Sequence, residues 1–523
     1  MGTYLNPGSE LFKIATNSKI YVDKTMLIKY TNEHILTSDR YMAVSRPRRF
    51  GKTMAMDMLC AYYGRGEAAE ELFKKYDICS DESFKKHLNK YNVIKLNIRD
   101  AISKSETVGS MTDGLTKRIV YELKNDNPEI TLFDETDITQ CISDIYESTR
   151  TAFVFLIDEW DAVFRIKGIT EEEQVKYLDF LRNLLKDKAY VALAYMTGIL
   201  PIKKYGEHSA LNMFTEYSMT NQRELAEYTG FTKEEVQGLC KAYNMSYDET
   251  KRWYDGYCLR DISVYNPRSV VMSMTGHDYD SYWTKTETYE ALRIYIEMNF
   301  DGLRDAIIEL MAGEKLSVDT RSFANDMVNL TSRDDVLTLL IHLGYLTYDF
   351  DTKRAWIPNQ EIMGEYASTI KTLDWSGVTE ALKMSDELLK AVFDKDNRYV
   401  ESALEKIHSF ETSILTYNDE NALASVISIA FYTARREYDM VRELPAGKGY
   451  ADICFIPKRG SSKPAMIVEL KVDKTAESAI TQIKERKYID GLKSYSGKVI
   501  LVGISYDRKS KRHSCGIEEV FKE

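Results

Sequence analysis

Several things are scarce in this 523-residue sequence. Proline contributes 9 residues and glycine 26, which argues against long flexible linkers. The seven cysteines (Cys60, Cys79, Cys141, Cys240, Cys258, Cys454, Cys515) are odd in number, scattered and without a C-x-x-C pair. That pattern reads as reduced thiols in a cytosolic protein and speaks against a cysteine-based zinc site. The 7 histidines are equally dispersed and form no H-x-x-x-H pair. No apolar run approaches the roughly 18 residues needed to span a bilayer. The opening MGTYLNPGSE lacks the basic and apolar segments of a secretory leader, and Asn6 breaks the myristoylation pattern. The expectation is a soluble, cytoplasmic protein with no membrane partner. Positive charge is also short: 70 Lys and Arg stand against 81 Asp and Glu, a formal net of −11. A protein that coats nucleic acid with its whole surface is thereby excluded, but a local basic face is not.

Apolar residues make up 44% and charged residues 29%, the composition of an ordinary folded chain. The length predicts about three domains. No internal repeat or low-complexity tract interrupts it. Tyr41–Val44, Val93–Ile98, Thr151–Ile157 and Val191–Thr197 read as strands separated by helices, which predicts a parallel sheet covered on both faces. This first unit is expected to end near Tyr217–Gln222. Residues 223–400 are mainly helical by pattern, with apolar spacing of three and four over Glu224–Tyr243, Leu292–Met311 and Asp334–Leu343. The aromatic strings WYDGY (Trp253–Tyr257) and YNPRS (Tyr265–Ser269) read as structural corners rather than as a base-stacking surface. Residues 401–523 form a second small α/β unit. Its helix Asn421–Arg435 is followed by strands Ala451–Ile456 and Ala465–Val472, helix Ala476–Tyr488 and strand Lys498–Ile504.

Between the first strand and a helix lies Arg46-Pro-Arg48-Arg49-Phe50-Gly51-Lys52-Thr53. Backbone N–H groups at a helix start cradle phosphates, a lysine reaches the β- and γ-phosphates, and a hydroxyl ligates Mg²⁺. Lys52 and Thr53 suit those last two roles. The leading glycine of the usual loop is replaced by Arg46, so the turn must differ, while Arg46, Arg48 and Arg49 add positive charge. Alone, the string is equally readable as a solvated basic turn. A second motif shifts the balance: the apolar strand Phe153–Ile157 ends in Asp158-Glu159. In a P-loop ATPase the first such acid holds Mg²⁺ and the second polarises the attacking water. Asp161 either assists that metal or caps the next helix. Thr197, at the end of the next strand, is either a γ-phosphate sensor or a structural threonine.

In the C-terminal unit, Asp452 begins one strand and Glu469-Leu-Lys471 ends the next, with Glu469 and Lys471 on one face by strand alternation. Two carboxylates suit Mg²⁺ or Mn²⁺, and the lysine would neutralise charge developing on a phosphodiester. The alternative is a solvated Glu/Lys pair. Glu420, at a helix start, could supply a third acid, and Gln482 and Tyr488 could steady the lysine or a phosphate.

Strings spread through nearly the whole chain add a resemblance: YVDKT (Tyr21–Thr25), RPRRFGKT, FLIDEWD, TGILPI (Thr197–Ile202), GFTKEEV (Gly230–Val236), WYDGY, YNPRS, IPNQEI (Ile357–Ile362) and GYAD…VELKVDK…QI. The sequence resembles bacterial AAA-ATPase-like proteins that carry a C-terminal PD-(D/E)XK nuclease-superfamily domain. The resemblance implies an α/β fold in three parts. These are an AAA-like P-loop NTPase domain of three αβα layers (1–222), a helical lid or linking region (223–400) and a restriction-endonuclease-like domain (401–523). It implies nucleotide binding by Arg46, Arg48, Arg49, Phe50, Gly51, Lys52, Thr53, Asp158 and Thr197, with Glu159 catalytic. It also implies Asp452, Glu469 and Lys471 as the nuclease residues, with Glu420 their least regular member because Leu423 and Ala424 stand where related domains have Tyr-His. Metal ligands would be Thr53, Asp158, Asp452 and Glu469.

The function expected is ATP hydrolysis coupled to Mg²⁺-dependent cleavage of nucleic acid, DNA before RNA, in defence against or processing of foreign DNA. The alternative is an ATP-gated regulator or scaffold whose C-terminal domain binds nucleic acid without cutting it. A homo-oligomer is left open. Charge supports a nucleic-acid partner locally: Val441–Glu523 holds 17 Lys and Arg against 11 Asp and Glu, a net of +6, so the acid excess lies in residues 1–440.

Overall fold

A computed structural model describes residues 2–522 except 67–68, 203–210, 222–224, 284–288, 299, 301, 325–326, 328–329, 374, 410–419, 459–460 and 494. Gln222 and Glu224, used above as boundaries, therefore lie outside the described residues. By its internal packing the chain divides into two units: Met1–Thr288 with Ser317–Ile362, and Tyr289–Leu316 with Met363–Glu523.

The first unit is built on five parallel strands, β1 (Tyr41–Ser45), β2 (Asn92–Asn97), β3 (Phe153–Asp158), β4 (Val191–Gly198) and β5 (Thr215–Tyr217). They are ordered β2-β3-β4-β1-β5. Every residue of β1, β3 and β4 is buried, which is why these strands read as continuous apolar runs instead of alternating ones. Their side chains still alternate between two cores. Phe153, Phe155 and Ile157 of β3 pack into one apolar cluster, Val154 and Leu156 into another on the opposite face. Helices on both faces complete three αβα layers. The helix Glu171–Leu185 starts at a capping box in which Thr170 and Glu173 satisfy each other's backbone N–H groups, and Thr232 with Glu235 does the same for Lys233–Ala242. The unit also holds two antiparallel hairpins. One is β6 (Tyr257–Leu259) with β7 (Ile262–Val264). The other, beyond the two-residue β8 (Leu316–Ser317), is β9 (Thr347–Asp349) with β10 (Arg354–Trp356).

Two expected helices are shorter than their patterns. Glu224–Tyr243 is helical only over Lys233–Ala242, after a 3₁₀ turn at Ala226–Tyr228. Leu292–Met311 is broken into Tyr289–Glu297 and Leu303–Ala312, because Gly302 adopts φ 75° between them. Apolar periodicity ran through the interruption.

The second unit contains one mixed sheet, β11 (Tyr438–Ala446), β12 (Gly449–Pro457), β13 (Ala465–Val472), β14 (Gly497–Asp507) and β15 (Arg512–Lys522), in that order. Only β13 and β14 are parallel, and the helix Ala476–Glu485 crosses between them, burying Ile480 and Ile483 with Ile467 and Leu501. The helix expected over Asn421–Arg435 spans Glu420–Ala430 and then tightens into a 3₁₀ turn, Tyr432–Arg436. Among the described residues no helix is long and apolar enough to cross a membrane.

Candidate functional site

The loop after β1 turns twice through left-handed backbone, at Arg49 (φ 69°) and Gly51 (φ 84°), before the helix Lys52–Tyr63 begins. Arg46 has ordinary backbone, so no glycine is needed there. Its side chain leaves the loop altogether. Fully buried, the guanidinium donates to Thr229 Oγ1 (3.0 Å) and to the carbonyls of Ser45 (2.9 Å) and Tyr217 (2.7 Å). Burial pushes its pKa down to about 10. Phe50 is also buried, its ring edge-on to Tyr257, and its carbonyl accepts from Gly230 N.

Lys52 points back under the loop and donates to the carbonyls of Arg46 (2.9 Å) and Pro47 (2.8 Å). Burial lowers its pKa to about 8 against the pull of Asp158, Asp161 and Glu159. Thr53 Oγ1 donates to Asp158 Oδ2 (2.8 Å), and Thr197 Oγ1 donates to Asp158 Oδ1 (2.5 Å). The sheet order makes this convergence: β4 lies between β1 and β3, so Thr197 ends beside the acid that ends β3.

Glu159 sits in left-handed backbone (φ 49°) and turns its carboxylate to Arg165 Nη2 (2.7 Å), with Arg99 at 3.9 Å. Burial works to raise its pKa, but the Arg165 hydrogen bond and charge outweigh burial and hold it below the usual carboxylate value. Asp161 lies within the 3₁₀ turn Trp160–Phe164. It is fully buried, accepting from Ile199 N (3.0 Å) and Leu200 N (2.9 Å) and pairing with Arg165 (3.1 Å). Gly198 allows that approach, because a Cβ there would lie 2.7–2.8 Å from Trp160 and Asp161 side-chain atoms.

A cavity of about 500 Å³ opens over this loop. Its lining combines Arg48, Arg49, Phe50, Gly51, Lys52, Thr53, Asp158 and Glu159 with the apolar Ile20, Val22, Met58, Phe231 and Val271. The volume lies within the range of small-ligand sites. Apolar side chains for a base and a helix N-terminus with lysine and hydroxyl for phosphates fit a nucleoside triphosphate. The apolar part of the lining escaped sequence reasoning. Its signal was nonetheless present, since YVDKT and GFTKEEV, noted only as strings that carry the resemblance, and YNPRS, read as a corner, all contribute to the lining. The tyrosines of WYDGY and YNPRS are buried corners: Tyr257 OH donates to Gly344 O (3.1 Å) and Tyr265 OH to Tyr247 OH (3.0 Å).

In the second unit, β12 and β13 pair up to Ile453 opposite Val468, leaving Asp452 and Glu469 as the next residues along the two strands. Asp452 Oδ2 accepts from Leu470 N (2.7 Å). Glu469 is 1% exposed; its Oε1 accepts from Lys471 Nζ (2.8 Å) and from Gln482 Nε2, which also contacts Tyr488 OH (3.1 Å). Its Oε2 is buried without a hydrogen-bond partner. Burial first, then Asp452, raise the Glu469 pKa to about 7, and burial raises that of Asp452. Burial works to lower the Lys471 pKa, but Glu469, Glu420 and Asp452 outweigh it and leave it raised. Glu420 approaches Lys471 at 3.7 Å and is itself half exposed. Among the described residues no three His, Cys, Asp or Glu form a metal-holding group. Two carboxylates, one with an orphaned buried oxygen, are a donor set for a hard cation that completes its shell with water and phosphate.

The parallel β2-β3-β4-β1-β5 sheet, with its phosphate loop after β1 and acid pair after β3, is a P-loop nucleotide-binding fold. The family comparisons refine this. Residues 9–206 match the family model described as predicted AAA-ATPase, and residues 418–514 match that of the PD-(D/E)XK nuclease superfamily. The chain thus joins an AAA-ATPase-like domain to a C-terminal PD-(D/E)XK nuclease-superfamily domain. A curated relative, an uncharacterised protein encoded in the vnfD 5′ region of Azotobacter chroococcum mcd 1, is 24% identical over 280 residues, 51% of each chain. The chain therefore spans about half the length of that relative. Among solved structures, the ORC2 protein of Aeropyrum pernix in ADPNP–ADP complexes is 9% identical with a TM-score of 0.30, covering 71% of this chain and 99% of its own. The ORC1 protein of the same organism, in complex with DNA, is 10% identical with a TM-score of 0.27, covering 71% and 100%.

Proposed function

We propose that the chain is an ATP-dependent nuclease. A P-loop ATPase in residues 1–222 is joined through the helical region 223–400 to a Mg²⁺-dependent phosphodiesterase in residues 401–523. Its substrate is nucleic acid, DNA in preference to RNA, and defence against or processing of foreign DNA is the role that such a pairing fits. The observation that carries the nuclease half is the buried Glu469 carboxylate with an unpartnered oxygen beside Asp452 and Lys471. A divalent cation bound there would activate water and stabilise charge on the phosphate. Asp452 and Glu469 would hold it, Lys471 would neutralise the developing negative charge, and Glu420 would orient the lysine.

In the ATPase half, Lys52 would leave the Arg46 and Pro47 carbonyls for the phosphates. Thr53 and Asp158 would hold Mg²⁺, Thr197 would keep Asp158 oriented, and Glu159 would polarise water. Arg48, Arg49, Phe50 and Gly51 would shape the loop round the phosphates, with Arg46 anchoring it from below.

The test is degradation of single- and double-stranded DNA and RNA by the full chain, with Mg²⁺ or EDTA and with or without ATP. Loss of Mg²⁺-dependent cleavage in Lys471→Ala is the expected result; cleavage unchanged in that variant would overturn the nuclease assignment. The closure of Glu469 by Lys471 and Gln482 favours a second reading, nucleic-acid binding without cleavage. Metal-independent binding by a chain that never cuts would identify it.

A further inference from the structure

The turn between β14 and β15 reads Asp507-Arg508-Lys509-Ser510-Lys511-Arg512, four cations to one acid. Unlike an ordinary surface cluster, this tip is fixed in place. Asp507 accepts from Ser510 N and Ser510 Oγ (both 2.7 Å), Lys511 N donates to Asp507 O (2.8 Å), and Lys511 closes the turn at φ 57°. Arg508 is spent on the anchor: its N (3.0 Å) and Nε (2.7 Å) donate to Asp473, and its Nη2 reaches the same carboxylate. Asp473 directly follows β13, the strand that ends in Glu469-Leu-Lys471, and its own N donates to Tyr506 O (2.9 Å). The hairpin tip is thus bolted to the turn that leaves the proposed catalytic strand.

What the anchor leaves over is positive. Lys474, Lys509, Lys511 and Arg512 are exposed, and among the described residues none is held in a salt bridge, although Lys509 adds to the positive field that lowers the Asp473 pKa. The register fixes their place. Lys471 lies level with Ser505, and Ser505 with Ser514, while the last rung of the hairpin is Asp507 opposite Arg512. Two residues of strand rise and one or two strand spacings put the free cations on the order of 10 Å from the Lys471 rung. That is a few nucleotides along a polynucleotide backbone. Asp473 and Asp507 offset only part of this positive charge, and a row of phosphates would relieve the repulsion that is left.

Resting on the nuclease reading above, we propose that the β14–β15 hairpin is a phosphate clamp. It grips the nucleic-acid backbone a few nucleotides from the cleaved bond through Lys509, Lys511 and Arg512, with Lys474 beside them. The contacts are to phosphate and carry no base preference.

The test uses the full chain and short fluorescein-labelled single-stranded and duplex DNA, with Ca²⁺ replacing Mg²⁺ to hold off cleavage. The combined variant Lys509→Ser, Lys511→Ser, Arg512→Ser is expected to bind about tenfold more weakly, with the slope of log K against log salt shallower by about two to three. Removing Lys383 and Lys390, exposed on the helix Ser376–Phe393, serves as the charge control and should change neither much. Asp473→Asn separates a positioned clamp from bulk charge. It adds net positive charge while releasing the Arg508 anchor, so weaker binding supports the clamp and tighter binding overturns it.

If the triple variant binds like wild type while wild type still binds and cuts, the clamp is wrong and the nuclease assignment stands. If the intact chain neither binds nor cuts any oligonucleotide, both fall. Preferential retention of the hairpin's charge by phosphatidylserine vesicles, with oligonucleotide binding unaffected by the triple variant, also overturns the clamp.

Discussion

Thr53 donates its hydroxyl to Asp158 across 2.8 Å, although 105 residues separate them in the chain. The bond closes the phosphate loop onto the acid strand, and Thr197 holds the other oxygen of the same carboxylate. One aspartate thereby ties the start of the helix Lys52–Tyr63 to the end of β4. A cation bound between Thr53 and Asp158 would replace a bond that is already short and partly dry, so the site is preorganised for it.

Lys52→Ala removes both the phosphate-binding ammonium and the two bonds that tie down the Arg46 and Pro47 carbonyls. Binding of a fluorescent ATP analogue should fall at least about tenfold, since bonds to charged groups contribute roughly 1.5–3 kcal/mol each. Thermal unfolding without nucleotide should move much less, because the buried ammonium is desolvated in wild type.

Glu159→Gln should lose ATP turnover by a factor of about 10²–10⁴ while nucleotide binding persists. Arg165→Ala acts on the same carboxylate from outside the cavity. With its main counter-charge gone, the Glu159 pKa rises, so the acid limb of the turnover profile should move to higher pH. Arg165→Lys should restore the limb in part. A purely structural arginine would lower activity without moving it.

Glu469 carries a pH signature of definite sign. Its folded pKa of about 7 exceeds the ordinary 4.5, so the folded state binds the proton more tightly than the unfolded state does. That contribution is complete below about 4.5 and is lost as pH rises through about 7. Without metal, wild type should therefore lose unfolding stability between mildly acidic and mildly alkaline pH relative to Glu469→Gln. Added Mg²⁺, which takes the deprotonated carboxylate, should stabilise wild type increasingly above neutrality and leave the variant unchanged. Parallel denaturation series at several pH values decide this.

Gly198→Ala drives a methyl group to 2.7–2.8 Å from Trp160 and Asp161 side-chain atoms. The loss should be about 1–3 kcal/mol in chemical denaturation, the usual cost of overpacking. Because Asp161 also holds Arg165, turnover should fall further than stability alone accounts for.

Much of this architecture was legible before any coordinates. β-branched and aromatic runs such as Phe153–Ile157 are too apolar for a half-exposed strand, and their alternation with helical segments predicted a covered parallel sheet. Glu469 and Lys471 shared a face because strand side chains alternate. Less visible were the edge strands: β11 and β15 are only partly buried, and their mixed polar pattern gives no strong period. Gly302 broke a helix whose apolar spacing continued across it.

Local sequence, then, determined which chemistry the chain carries: a lysine and threonine at a helix start, two acids at a strand end, and a carboxylate and lysine spaced to share a face. Tertiary structure alone decided which of those groups meet. It sent Arg46 into the core and left Lys52 at the loop, set Asp161 against Arg165 and the Ile199 and Leu200 N–H groups, and brought parts of three separate strings into the lining of one cavity. The reason is physical. Alternation and helix period act over a few residues and are written in the chain, whereas burial, pairing and the pKa changes they cause depend on neighbours that only strand order brings together.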